Sequence, residues 1–376
     1  MKLTAPSFDD AEIALVSDCL ASGWVTQGPM TDRFERLIAE RHQVRHAMAA
    51  TSCTAALHLA ALALDLGPGD EVIVPAFTWV TSAHCAEYVG AKAVFADIDL
   101  STYNLDPAAL RAAITPRTTA IMAVHLFGLA APMDEIKGIA EARGIRVMED
   151  AACAIGTTYK GQPVGALGDI GCFSFHPRKV VTTGEGGAVT TNDDGLAQLV
   201  RSQRNHGSGG PPDPSVEPHG PWTMAVFDRI GYNLRLSDIQ AAVGVAQMGK
   251  LDALLAERRR CAHGYLDRLA GSNEVALPVA DPGHTFQSFV VRIREGGRAR
   301  RNAVMARLAA ADIQTRPGTH AVHKLGYYRD KYGLSADAFP NAVRAEDTSI
   351  TLPIFPGMTE SDLDEVVDHF IRAVAE

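Results

Sequence analysis

Short apolar runs alternate with longer segments of helical periodicity through the N-terminal half of the chain. The runs at residues 71–75, 93–98, 119–124 and 145–148 are rich in β-branched residues and are only long enough for strands. Strands that are apolar along their whole length are typical of parallel sheets covered by helices on both faces. The alternation therefore predicts an α/β fold with a mostly parallel mixed sheet.

The pattern changes toward the C-terminus. Residues 286–294 alternate apolar and polar side chains as a half-buried strand does, and helical segments follow. We predict a large domain over residues 1–250, with an N-terminal arm, and a smaller α+β domain over residues 251–376. A Gly/Pro-rich segment at 207–221 predicts a long loop.

Composition is that of an ordinary globular enzyme. The formal net charge of −9 leaves no broad basic face for nucleic acid. The six cysteines form no CxxC pair, which favours reduced thiols over a disulfide framework. The N-terminal residues lack the apolar core of a signal peptide, and no uncharged stretch approaches the roughly 20 residues that span a bilayer. We therefore expect a cytoplasmic protein without nucleic-acid or membrane partners.

One lysine, Lys179, lies between a strand-like aromatic run at 172–175 and a Gly-rich turn at 184–187. An amine that is held still and desolvated can form a Schiff base with an aldehyde. The carbonyl cofactor that suits this arrangement is pyridoxal 5'-phosphate (PLP). A surface lysine before a β-turn gives the same local pattern, so the other requirements of a PLP site must decide between the two.

Two of those requirements are an acid at the pyridine nitrogen and an aromatic group beside the ring. Asp150 ends an apolar run, and ligands of open α/β sheets bind at the carboxyl ends of strands. The neighbouring Glu149 should point to the opposite face of that strand. Trp79 follows another run and can stack on the ring. Asp150 as a helix cap and Trp79 as a core aromatic remain the alternatives.

A third requirement is a cradle for the phosphate group. A Thr-Ser-Cys-Thr segment precedes an Ala/Leu helix, and the free N–H groups at a helix start attract a dianion. Ser52, Cys53 and Thr54 are therefore phosphate-binding candidates, and Ser174 and Asn233 add polar side chains. A plain helix cap would produce the same segment.

Short motifs along nearly the whole chain carry a family resemblance. In order they are SCTAALH at 52–58, GDEVI at 69–73, PAFTWV at 75–80, HLFG at 125–128, EDAA at 149–152, the stretch 173–187, RNHG at 204–207, GYN at 231–233, DIQAA at 238–242 and LPIFP at 352–356. Each is weak alone, but together the chain resembles the DegT/DnrJ family of sugar aminotransferases. The resemblance implies the architecture of fold type I PLP enzymes.

The resemblance also implies roles around the cofactor. Lys179 carries the Schiff base and shuttles the proton, Asp150 pairs with the pyridine nitrogen, and Trp79 stacks on the ring. Many members have Gln where this chain has Cys153, and that Gln reaches the phenolic oxygen of the cofactor. A thiol donates less well than an amide, so this contact is weaker here.

For the phosphate, the resemblance implies Ser174 and the backbone at residues 53–54. A homodimer follows, because Asn233 of the partner subunit joins these groups. On the substrate side, Arg235 is implied as the anchor for the carboxylate of the amino donor.

Transfer of an amino group from L-glutamate to a keto sugar is the function implied. The substrate favoured is a nucleotide-linked 4-keto-6-deoxy sugar, in amino-sugar biosynthesis. The alternatives are a keto-cyclitol (scyllo-inosose type) aminotransferase, a PLP-dependent sugar dehydratase and a non-catalytic sensor with a PLP fold. Dehydratases within the family have His in place of the lysine, so Lys179 speaks against that alternative.

The sugar side of the site is less legible in the sequence. Trp24, His320 and His323 are candidate substrate residues, together with the segment 316–320. His320 and His323 have an HxxH spacing, but no Cys or carboxylate cluster accompanies them. We therefore expect no metal site.

Overall fold

The computed structural model describes residues 1–209 and 222–376, so most of the loop predicted at 207–221 lies outside the described residues. Strands occur throughout the described chain. They are β1 (His46–Ala50), β2 (Glu71–Pro75), β3 (Phe77–Thr78), β4 (Lys92–Ala96), β5 (Thr118–Val124), β6 (Arg146–Asp150), β7 (Thr158–Tyr159), β8 (Gln162–Pro163), β9 (Ile170–Ser174), β10 (Gly187–Thr191), β11 (Val275–Ala276), β12 (Phe289–Ile293), β13 (His320–Ala321) and β14 (Ser349–Leu352).

Helices separate most of these strands, as the alternation predicted. They are α1 (Asp10–Ser22), α2 (Pro29–His42), α3 (Cys53–Ala63), α4 (Thr81–Tyr88), α5 (Pro107–Ala113), α6 (Met133–Glu141), α7 (Asp194–Gln203), α8 (Asp238–Gly249), α9 (Leu251–Leu269), α10 (Gly297–Ala310), α11 (Gly326–Tyr332), α12 (Pro340–Thr348) and α13 (Glu360–Ala375). Two short 3-10 turns, Leu126–Gly128 and Val322–Lys324, complete the set within the described ranges.

Seven strands form one mixed sheet in the order β1-β10-β9-β6-β5-β2-β4. From β9 to β4 all neighbours pair in parallel, whereas β10 is antiparallel to both β9 and β1. The predicted α/β fold with a mostly parallel mixed sheet is confirmed. Because β10 is reversed, its first residues lie at the same edge as the carboxyl ends of the other six strands.

Both faces of this sheet are buried, which explains the continuous apolar strands. Alternate residues of a strand point to opposite faces. Val72 and Met122 pack with α3 and α4 on one face. Ile73 and Ile121 pack with α5 and α6 on the other. The sheet is therefore a rigid inner layer, and its carboxyl edge is a fixed platform for side chains.

The C-terminal part has its own core. An antiparallel sheet, β11-β12-β14, packs against α9, α10 and α13 around buried residues such as Phe289 and Phe370. α9 joins this core to that of the large domain, because its Tyr265 lies in the C-terminal core and its Leu255 in the core of the large domain. The chain start, which the predicted boundaries assign to the large domain, pairs with the C-terminal part: the Leu3 carbonyl accepts from the amide two residues after β14 at 3.1 Å. Among residues 1–209 and 222–376, no helix is both long and apolar enough to cross a membrane.

Candidate active site

A cleft of about 250 Å³ opens at the carboxyl edge of the large sheet. It collects eight of the nine predicted cofactor-binding residues, with Asn233 the exception. Those that line it are Ser52, Cys53, Thr54, Trp79, Asp150, Cys153, Ser174 and Lys179, joined by others that include Thr78, Phe127, His176, Arg178, Glu185, Gln287, Arg316 and Thr319. Residues far apart in the sequence meet here because every strand of the sheet delivers its loop to this one edge.

Asp150 is the last residue of β6 and is almost fully buried, with 4% of its surface exposed. Ser82 Oγ donates to its Oδ2 at 2.6 Å, and the Ala152 amide donates to Oδ1 at 3.1 Å. Thr78 contacts the Ser82 hydroxyl at 2.9 Å and so orients it. The carboxylate is therefore fixed in position and keeps lone pairs for a ligand in the cleft.

Glu149, the preceding residue, points to the opposite face, as the alternation of strand side chains predicted. His125 Nε2 lies 2.9 Å from Glu149 Oε2, and the amides of Gly165 and Gly168 donate to the carboxylate at 2.6 Å each. Burial raises the pKa of Glu149, but these hydrogen bonds outweigh it and hold the pKa below its ordinary value. Glu149 is thus a structural anion, whereas Asp150 faces the cleft.

Lys179 lies in the connection from β9 to β10, whose backbone is tied down at both ends. The Lys179 amide donates to the His176 carbonyl at 2.8 Å, and the Thr183 amide donates to the Phe175 carbonyl at 2.9 Å. Lys179 Nζ donates to Cys153 Sγ at 3.0 Å. No carboxylate in the described part of the chain forms an ion pair with this half-buried amine, which leaves it available for a carbonyl group.

The predicted phosphate cradle is the N-terminus of α3. Ser52 caps this helix by accepting from the Ala55 amide at 3.1 Å, so the capping alternative is also realised. The amides of Cys53 and Thr54 belong to the first turn and have no intrahelical acceptor. Ser174, at the end of β9, also lines the cleft. Two free amides and a hydroxyl at a helix N-terminus suit an anion.

Gly187 makes this cradle possible. A Cβ at Gly187 would lie 2.4 Å from the carbonyl carbon of Ser52 and 2.5 Å from the amide nitrogen of Cys53. The first residue of β10 therefore packs directly against the backbone at the start of α3, at a distance that only glycine allows. Burial raises the pKa of the Cys53 thiol well above its ordinary value, so no thiolate opposes an anion here.

The remaining wall of the cleft comes from the segment 316–321. β13 pairs with β3 and brings His320 opposite Thr78. The Thr319 hydroxyl donates to the Thr78 carbonyl at 2.9 Å, and the His320 ring lies 5.7 Å from the Trp79 ring. This segment, which the sequence indicated as pocket lining, places Arg316 and Thr319 in the cleft. About half of the Trp79 surface is exposed, so its ring is accessible for stacking.

Several predicted residues lie outside the cleft. Arg235 Nη1 donates to Asn205 Oδ1 at 2.5 Å. Asn233 is exposed and forms an isolated antiparallel β-bridge with the same Asn205. The Trp24 indole donates to the Gln27 carbonyl at 3.1 Å, away from this protomer's cleft. None of these three lines the pocket of their own chain.

The structure places His323 in the protein interior instead of in the pocket. His323 has no exposed surface, its Nε2 lies 3.0 Å from the Ala336 carbonyl, and its ring packs on Phe339. The HxxH spacing therefore does not bring the two histidines to one ligand. Throughout the described ranges, no group of three or more His, Cys, Asp or Glu is arranged to hold a metal ion.

Sequence reasoning missed Ser82, Arg178 and Gln287. Ser82 lies three residues after Trp79, in the first turn of the helix that follows the strand, and this position is the available signal. Gln287 Nε2 donates to the Arg178 carbonyl at 2.7 Å and thereby fixes the backbone next to Lys179. No local pattern indicates that role, because Gln287 comes from the C-terminal part of the chain.

Comparison with known proteins agrees with this geometry. The model of the DegT/DnrJ/EryC1/StrS aminotransferase family matches residues 6–371. The GDP-perosamine synthase of Caulobacter vibrioides is 41% identical over 371 residues, covering 98% of this chain and 96% of that protein. The spore coat polysaccharide biosynthesis protein SpsC of Bacillus subtilis is 37% identical over 367 residues, covering 96% and 94%. A Streptococcus pneumoniae structure described as a sugar aminotransferase in its PLP form has a TM-score of 0.93 at 28% identity, covering 100% of this chain and 98% of that one.

The residues of the cleft fit PLP. Lys179 offers an amine without an ion-pair partner, Asp150 a buried carboxylate held by two donors, and the start of α3 two free amides. The close approach of Gly187 to Ser52 maintains that last feature. Amine, acid and anion cradle face one cavity, as the aldehyde, pyridine nitrogen and phosphate of PLP require.

Proposed function

This chain belongs to the DegT/DnrJ/EryC1/StrS aminotransferase family, and we propose that it transfers an amino group from L-glutamate to a nucleotide-linked 4-keto-6-deoxy sugar. The chain is a PLP-dependent aminotransferase. The observation that carries the proposal is the Lys179 amine facing the same cleft as Asp150, in a chain 41% identical to a protein named GDP-perosamine synthase. A 4-keto sugar linked to GDP is accordingly the first substrate to test.

PLP, when bound, supplies an electron sink that accepts the electron pair of a broken C–H bond. Asp150 would hold the pyridine nitrogen of the cofactor through its buried carboxylate. Two donors, the Ser82 hydroxyl and the Ala152 amide, fix the orientation of that carboxylate. The amides at the start of α3 hold the phosphate without any change in their own geometry.

Lys179 has two tasks in each half-reaction. Its Nζ would hold PLP through the carbonyl carbon of the cofactor, and as a free amine it would act as the base that takes up and returns a proton. Cys153 Sγ, 3.0 Å away, keeps the amine in that position. The keto sugar then undergoes the same steps in reverse order, which predicts ping-pong kinetics.

We also propose a homodimer in which Asn233 of the partner subunit completes the phosphate site. Asn233 directly follows a described stretch rich in exposed apolar side chains. Met224, Phe227 and Ile230 expose 84%, 59% and 85% of their surfaces. Apolar groups this exposed on neighbouring residues support an interface with a second copy. We place the reaction in the cytoplasm, which the six free cysteines support.

The experiment is product analysis with the holoenzyme. We expect L-glutamate with a GDP-linked 4-keto-6-deoxy hexose to give 2-oxoglutarate and the 4-amino sugar in equal amounts. A dTDP-linked 4-keto sugar and a keto cyclitol are the matched alternative acceptors. Loss of water from the sugar, or amination of the cyclitol alone, would contradict the proposed substrate. Light scattering of the purified protein, with Ile230→Asp as the interface variant, tests the dimer.

A further inference from the structure

Arg316 is an arginine that lines the cleft. Its backbone is fixed, because the Thr351 amide donates to the Arg316 carbonyl at 2.7 Å. Its Nε is buried and unbonded, and in the part of the chain that the structure describes its guanidinium forms neither a hydrogen bond nor an ion pair. By contrast, the buried guanidinium of Arg204 pairs with Glu35 and the Ala49 carbonyl.

The charges around Arg316 make this lack of a partner costly. Burial lowers the pKa of the Arg316 guanidinium, and the neighbouring Arg178 lowers it further. A buried cation without an anionic partner is unfavourable, and like charges nearby add to the cost. An anionic ligand would remove this cost, and a guanidinium is well shaped to hold a carboxylate with two parallel hydrogen bonds.

The position of Arg316 distinguishes between the two anions that the proposed reaction brings. Arg316 interacts electrostatically with Cys153, and Cys153 contacts the Lys179 amine. An α-carboxylate is attached to the same carbon as the amino group that must reach Lys179. The diphosphate of a nucleotide sugar is attached across the sugar ring from a 4-keto carbon, and so lies farther from the reacting atom.

We propose that Arg316 binds the carboxylate of the amino donor and thereby selects amino acids over simple amines in the first half-reaction. The proposal rests on the proposed function, which supplies an amino acid as donor. It replaces Arg235, whose guanidinium is bonded to Asn205 outside the cleft. Arg316 comes from the C-terminal part of the chain and Lys179 from the large domain, so donor binding joins the two.

The test compares Arg316→Gln with Arg292→Gln in the holoenzyme. Arg292 is the matched control, because it is also a half-buried arginine of the C-terminal part with an unbonded Nε, but it does not line the cleft. The probe is glutarate, a dicarboxylate without an amino group, titrated by calorimetry. We expect Arg316→Gln to weaken glutarate binding about 100-fold, Arg316→Lys to recover part of it, and Arg292→Gln to match the wild type.

Two further arms separate the anion sources. The first is the single-turnover reaction with L-glutamate, followed by cofactor absorbance, whose half-saturating concentration we expect to rise about 100-fold in Arg316→Gln. The second is calorimetric binding of GDP, which we expect to be unchanged. If GDP binding were weakened while glutarate binding stayed unchanged, Arg316 would be assigned to the phosphate and the proposal would be overturned. The proposal would also be overturned if GDP binding and glutarate binding were weakened equally, or if both were unchanged. Failure of the proposed function would look different, because the wild type would react with L-glutamate yet aminate no 4-keto sugar.

Discussion

The two walls of the cleft differ in how far their polar groups are already satisfied. The cofactor wall, formed by the strand ends with Asp150, Lys179 and the start of α3, is held by hydrogen bonds from neighbouring residues. The substrate wall, formed by Arg178 and the segment 316–320, includes a buried guanidinium nitrogen without a partner. A cofactor that stays bound needs groups fixed in advance, whereas two successive substrates need groups left free for each.

The largest effect should come from the centre of the cofactor wall. We expect Lys179→Ala to lower kcat at least about 1,000-fold, because no other described amine lines the cleft to move the proton. The melting temperature should change little, since this side chain makes one hydrogen bond, to Cys153. Lys137→Ala, which removes a half-buried lysine at the opposite edge of the sheet, is the control for activity. Activity that survives in Lys179→Ala would break the assignment of the cofactor wall.

The neighbouring acids Glu149 and Asp150 sharpen the comparison within one strand. We expect Asp150→Asn to lower kcat about 100-fold with an unchanged free energy of unfolding, because the amide keeps the shape and loses the charge. We expect Glu149→Gln to lower the free energy of unfolding by about 3 kcal/mol, because it places an amide among buried N–H donors. Chemical denaturation measures the free energy of unfolding of both variants, and steady-state kinetics measures kcat of both. The reverse pattern would mean that the two side chains have exchanged roles.

Acid should destabilise the fold through two buried histidines that pack behind the cleft. Burial lowers the pKa of His42, which packs on Phe173, and of His284, which bonds the Phe127 carbonyl, to about 4. Below about pH 6.5 the unfolded chain takes up protons that the folded chain refuses, so stability is complete above that pH and falls toward pH 4. Between pH 7.5 and 5 each histidine should remove about 2 kcal/mol of unfolding free energy.

Denaturation curves at the two pH values measure this loss. His284→Gln should reduce it by about 2 kcal/mol, because the glutamine does not titrate. A loss that is the same with and without His284 would show that the pKa of His284 in the folded protein is not depressed.

The smallest effect concerns the cradle. We expect Gly187→Ala to weaken PLP binding about 10-fold, because its Cβ would push the Ser52–Cys53 backbone away from β10. Fluorescence titration of the apoprotein with PLP measures this. Gly138→Ala is the control, since a Cβ there meets no atom within 4 Å. Equal affinities in the two variants would show that the cradle does not depend on the close approach of β10.

The sequence predicted the elements that have local signals and missed those that depend on contacts with distant parts of the chain. β2 was predicted at its observed bounds, because an apolar run is a local signal. The Ala/Leu helix predicted after the Thr-Ser-Cys-Thr segment is α3, and the Ser cap at its start is a local signal too. β1 was missed, since its His-Ala-Met-Ala-Ala sequence has no β-branched residue and becomes a strand by pairing with β10. The start of α2 has no local signal of this kind, because Asp238, distant in sequence, caps it through the amides of Gly28 and Thr31.

The same contrast separates the two walls of the site. The cofactor wall is legible because its residues directly follow strands, where ligand-binding groups of such sheets lie. The substrate wall depends on β13 docking on β3, a pairing between segments about 240 residues apart that no local pattern encodes. That docking brings Arg316 into the cleft. It leaves His323, three residues beyond His320, buried in the interior, so the substrate role suggested for His323 has no place in this pocket.

The central claim, that Lys179 is the Schiff-base lysine of a PLP site, is tested most directly by chemical trapping. The holoenzyme is reduced with sodium borohydride, digested, and analysed by peptide mass spectrometry. We expect the mass of reduced pyridoxyl phosphate on the peptide that contains Lys179, and its loss when L-glutamate is added before the reduction. A label on another lysine, or no label on a protein that has bound PLP, would contradict the account.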